Sequence, residues 1–206
     1  MKNIIGIGCF LASFSAFSAI NLKSINTTSL PSVDIFKVHA QGVASEKLGN
    51  APRFAIEHNV STNAFNNPWV KEGKLFISRH RVKAINAVSL NFAFDFKMTQ
   101  DSKVKIYSSD LTKEIREFTS NDNNIDNELW SPIIMSNDVI VEVSVPESQI
   151  ENLDFSIKQI NQGYRTFGQT TEKSGSCNVD VACNESSGWE NEVNSVGVIS
   201  TGGSTF

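Results

Sequence analysis

Three observations predict an all-β fold for this sequence, an antiparallel β-sandwich with a jelly-roll-like layout. Apolar and polar residues alternate in several short runs, most clearly at 87–96, where Val88, Leu90, Phe92, Phe94 and Phe96 are separated by Ser89, Asn91, Ala93 and Asp95. Period two is the mark of a strand with one buried face. Turn-forming residues separate these runs at short intervals, as in a sandwich. No long run carries the 3.6-residue period of an amphipathic helix.

The elements follow in chain order. The opening, MKNIIGIGCFLASFSAFSAIN, has Lys2 as a positive start and an apolar, small-residue-rich stretch over 4–17. Ala16 and Ser18 stand at the −3 and −1 positions of a cleavage site between Ser18 and Ala19. Residues 1–18 are therefore expected to be an export signal, and the protein to be secreted. The stretch is short for a membrane span and no second one follows, so no membrane anchor is expected.

Residues 19–67 form a poorly patterned arm, rich in Ser, Asn and Thr and broken at Pro31 and Pro52. Its apolar pieces at 33–36 and 54–56 are expected to be edge strands or extended chain. After the Asn66-Asn67-Pro68 turn, residues 68–161 hold the β-rich domain. Strands are expected at 74–78, 87–96, 103–108, 115–119 and 139–145, with Phe155 and Ile157 continuing the style. The polar stretch at 120–124 is a loop, and 149–153 supports at most one helical turn. Residues 162–173, QGYRTFGQTTEK, read as a linker. In the tail, 174–206, a short strand at 196–200 leads to a hairpin signal at 201–204. Only Thr205 and Phe206 follow it, which predicts a truncated hairpin.

The formal charge is −4, from 18 basic and 22 acidic residues, without a run of Lys or Arg. Nothing here favours nucleic acid or an anionic membrane. Of three cysteines, Cys9 lies in the signal, leaving Cys177 and Cys183. In an exported protein these two can pair with each other or with partners outside the sequence. No zinc-type Cys/His spacing is present, and neither a metal nor a cofactor is expected.

Ser/His/Asp catalysis needs a hydroxyl, an imidazole, an orienting carboxylate and oxyanion donors. The histidines, His39, His58 and His80, all precede the tail, and no serine sits in a Gly-Asp-Ser-Gly-like elbow. His80, between Arg79 and Arg81, reads as a solvated strand end. No catalytic residue is assigned.

The tail opens Ser174-Gly175-Ser176-Cys177-Asn178, followed by Cys183, Trp189, Ser195-Val196 and Gly202-Gly203. This resembles the start of mature enzymes in the bacterial lysyl-endopeptidase-like branch of the trypsin-like serine proteases. Upstream, Glu128-Leu129-Trp130-Ser131-Pro132, the 139–145 strand and residues 159–165 resemble the β-rich propeptide of such precursors. The resemblance implies a signal, a propeptide and the first strand and hairpin of a truncated trypsin-like β-barrel. It implies that the prodomain aids folding and temporarily inhibits its own protease domain, with protein substrates for the parent enzyme. It points to the Lys173–Ser174 bond for propeptide cleavage and to bridges from Cys177 and Cys183 into the protease body. Without the triad, the chain alone is expected to be inactive. The alternatives are an exported β-sandwich binding module, for which Trp69, Trp130 and Tyr164 are candidate contact residues, and a stand-alone protease inhibitor.

Overall fold

The computed structural model describes residues 21–60, 69–166 and 187–191, with strand residues 200–201 and 204–205. Its core follows from the alternation. In β5 (Ser89–Lys97), Leu90, Phe92, Phe94 and Phe96 point inward and are buried. In β9 (Asp138–Pro146), Val139, Val141, Val143 and Val145 do the same. Each such side chain contributes roughly 1.5–3 kcal/mol when fully removed from water.

Ten strands build two sheets. The first runs β1 (Asn26–Leu30), β4 (Leu75–Ala84), β9, β6 (Lys103–Ser108), β7 (Phe118–Thr119), with β3 (Val70–Glu72) also on β4. The second runs β2 (Ala55–Asn59), β10 (Asp154–Gly163), β5, β8 (Glu128–Trp130). One apolar cluster joins Val82, Val104, Ile106 and the β9 residues Val139, Val141 and Val143 to the β5 aromatics, Phe155, Ile157 and Ile160. Phe94 stacks on Phe155 with ring centroids 5.0 Å apart. The molecule is thus mostly β, with two sheets over a shared core.

The strands at 87–96, 103–108 and 139–145 appear where alternation predicts them. Four features differ. Residues 35–46 form a helix, α1 (Ile35–Glu46), where only extended chain was expected. Asp34 caps it, its side chain accepting the Lys37 N–H at 3.1 Å. The helical stripe is obscured because Phe36 is 90% exposed and the residue buried in α1 is a glycine, Gly42. Secondly, a strand, β1, forms at 26–30 where none is expected, whereas β2 is the edge strand expected near 54–56; the two join different sheets. β1 runs parallel to β4, so the first sheet is not wholly antiparallel. Only Leu30 of β1 is buried, which leaves no alternation to read.

Thirdly, β10 runs through the start of the expected linker to Gly163. A register shift between Ile157 and Gln159 turns the inward set from odd to even positions. Such a bulge breaks a period-two count, and it buries Ile160 and Gln162. Finally, β11 (Ser200–Thr201) and β12 (Ser204–Thr205) pair antiparallel, so the strand ending at Thr201 does have a two-residue partner. The helical turn near 149–153 is a 3₁₀ turn over Glu147–Asn152, and the strand expected at 115–119 shortens to Phe118–Thr119.

Candidate functional site at the chain exit

The β-rich domain hands the chain onward at the end of β10, and three segments meet there. Gly163 lies flush on Ser89: a Cβ at this position would stand 2.1 Å from Ser89 Oγ and 3.1 Å from its carbonyl oxygen. Only glycine allows that approach. The Val88 N–H donates to the Gly163 carbonyl at 2.8 Å.

Tyr164 is buried at 5% exposure. Its N–H donates to the Phe54 carbonyl at 2.9 Å, and its hydroxyl donates to the Arg53 carbonyl at 2.6 Å. Burial pushes the phenol above its ordinary range. Gly42 lets α1 come close, since a methyl there would reach within 3.0 Å of the Tyr164 hydroxyl. Arg165 then pairs with Glu46 at the last residue of α1. Both side chains are mostly buried, at 13% and 24% exposure. An ion pair so shielded is screened less than a surface pair.

Gln162 completes the anchor from the inner face. Its side-chain N–H donates to the Ile85 carbonyl at 3.1 Å and the Pro31 carbonyl at 3.4 Å. His58 Nε2 donates to Gln162 Oε1 at 2.9 Å. The exit is therefore tied to α1, to the residues before β2 and to the turn after β4. The Lys173–Ser174 bond follows seven residues after Thr166. Seven extended residues reach at most about 25 Å, so that bond lies no farther than this from Thr166.

Lys173 and Ser174, the signal-cleavage pair Ser18 and Ala19, and Cys177 and Cys183 all lie outside the described residues. Of the histidines, His39 is exposed on α1 and His58 holds Gln162. His80 is not a solvated strand end. It lies within β4, 7% exposed, with Nε2 2.9 Å from Thr28 Oγ1. Strand alternation turns it inward while its neighbours point out. Arg79 bonds Glu142 through Nε at 2.6 Å and Glu72 through Nη1 at 2.9 Å. Arg81 forks onto Asp138 at 2.7 and 2.5 Å. A hydroxyl–imidazole pair supplies two parts of a nucleophilic set, but this one faces the sandwich interior.

The aromatic candidates separate. Trp69 packs against the core. Trp130 is 40% exposed on β8, its indole N–H donating to Glu128 at 2.7 Å. Tyr164 is the exit anchor. Among the described residues no cluster of three His, Cys, Asp or Glu could hold a metal, and no helix is long and apolar enough to cross a membrane. No known protein-family model matches the sequence.

Proposed function

We propose that this chain is the N-terminal portion of a secreted serine endopeptidase precursor, whose β-rich prodomain aids folding and temporarily inhibits the enzyme. The observation that carries the reading is the anchored exit. Tyr164 and Arg165 fix the point from which a tether of at most about 25 Å leads to Lys173–Ser174. A prodomain that blocks an attached protease needs its cleavable connection short and its departure point defined, so that inhibition is intramolecular. The mature-like opening at 174–178 supports the same reading.

In this account the sandwich is jelly-roll-like, supported by the way consecutive strands β4, β5 and β6 alternate between sheets. Residues 174–206 are the start of a trypsin-like barrel, and residues 1–18 direct export. This reading assigns no catalytic residue within the 206 residues and predicts no peptide hydrolysis by them alone.

The test adds the 206-residue chain to a mature lysine-directed trypsin-like protease and follows peptide hydrolysis. The expected result is inhibition that fades as Lys173–Ser174 is cut. Undiminished hydrolysis at large molar excess of the chain, with no cut at Lys173, would overturn the reading.

A further inference from the structure

We infer that the Lys47–Leu48 bond is a second proteolytic site, whose hydrolysis after lysine loosens the anchored exit. The inference rests on the prodomain reading for its biological agent, a lysine-directed protease, but its geometry stands apart.

A protease binds substrate as extended chain, so a lysine is cut where the backbone can leave its native hydrogen bonds cheaply. Most described lysines fail that condition. Lys71, Lys83, Lys97, Lys103, Lys105 and Lys158 lie in ladders of the two sheets. Lys74 occupies the two-residue turn between β3 and β4, which holds the chain sharply bent. Lys113 is tethered through Nζ to the Met135 carbonyl. Lys37 sits in the capped first turn of α1. Lys23 precedes β1, so a cut there leaves both sheets whole.

Lys47 differs on each count. It is the C-cap residue of α1, and residues 47–50 are all exposed. Leu48 is 82% exposed, and Gly49 turns the chain with φ +83°. The backbone of the turn is held by short-range bonds: Leu48 N–H to Ser45 O at 3.0 Å, Gly49 N–H to Glu46 O at 2.9 Å, and Asn50 to Ser45 through its N–H at 3.3 Å and its side-chain amide at 3.0 Å. Helix ends fray first, and α1 buries a single glycine, so beyond the Glu46–Arg165 pair little opposes opening here.

The consequence follows from Glu46. Water adds to the Lys47 carbonyl carbon, the C–N bond to Leu48 breaks, and a carboxylate and an amine are left. The residue beside the new end is the one that holds Arg165. A severed last turn no longer keeps Glu46 in place, and the new negative charge sits at the negative end of the helix. The exit then loses its ion pair with α1, while the Tyr164–Arg53 bond remains.

The test incubates the full chain with a catalytic amount of a lysyl-specific serine endopeptidase and identifies fragments over time by intact mass. Within residues 24–166 the first cut is expected at Lys47–Leu48, about tenfold faster than at any other lysine there. Lys47→Gln is expected to slow the first cut in this range by a similar factor of about ten, with an unchanged unfolding midpoint. A first cut at a strand lysine or at Lys74, or unaltered fragmentation of Lys47→Gln, would overturn the inference. Cutting first at Lys47 supports it whether or not the chain inhibits the protease, so the two readings fail separately.

Discussion

The Tyr164 hydroxyl donates to the Arg53 carbonyl across 2.6 Å, fastening the last turn of β-domain chain to the residues that lead into β2. The two residues are 111 positions apart, and the bond extends the pairing of β10 with β2 beyond the ladder. Tyr164→Phe keeps the ring and removes the donor, leaving the Arg53 carbonyl short of a partner. A loss of about 1–2 kcal/mol is expected, read as a lower urea midpoint at unchanged slope.

Gly163 carries a steric version of the same constraint. In Gly163→Ala the new methyl meets Ser89 Oγ at 2.1 Å and the Ser89 carbonyl oxygen at 3.1 Å. Overpacking of this kind costs roughly 1–3 kcal/mol. Ser89→Ala removes the nearer atom, so the double variant is expected to recover part of the loss. A double-mutant cycle in thermal unfolding measures the coupling.

On the outer face of the first sheet, Glu142 accepts from Arg79 at 2.6 Å and from the Tyr107 hydroxyl at 2.8 Å. Glu142→Gln removes the charge from a site where both ionic side chains are mostly buried, at 19% and 13% exposure. Arg79 keeps its bond to Glu72, which limits the damage. A destabilisation of about 2 kcal/mol is expected from denaturant unfolding, below the cost of leaving a buried charge wholly alone.

Tyr107 makes stability depend on alkaline pH. Burial, and then the charge of Glu142, push its phenol above the ordinary range, against the opposing pull of Arg79. A raised pKa means the folded state holds the proton more tightly. Its stabilising contribution is complete below the unfolded value, about pH 10, and is lost as pH rises through the folded value. The urea midpoint is expected to fall from about pH 9 to about pH 11, and Tyr107→Phe to flatten that fall.

Much of the β-framework is legible in the sequence because alternation is strong where one face is buried. The strand read at 103–108 is β6 itself, and the phenylalanines of β5 and the valines of β9 face the core as their spacing requires. What is illegible depends on partners distant in the chain. Arg165 and Glu46 are 119 positions apart, and nothing local marks Tyr164 as an anchor rather than part of a polar linker. The bulge after Ile157 hides the inward turn of Gln162. His80 looks solvated in the sequence because its neighbours Arg79 and Arg81 belong to the opposite face of β4. Their cross-strand carboxylates, Glu142 and Asp138, were the available signal, four residues apart on one face of a strand with alternating valines.

The central claim is that this chain opens a serine protease precursor. Its most direct test is the reading frame beyond Phe206 in the source messenger RNA. The account predicts a continuous frame that enters a cysteine-bearing strand, then a histidine segment, and later an aspartate and a serine elbow. A stop directly after Phe206, with nothing protease-like in any frame, would contradict it.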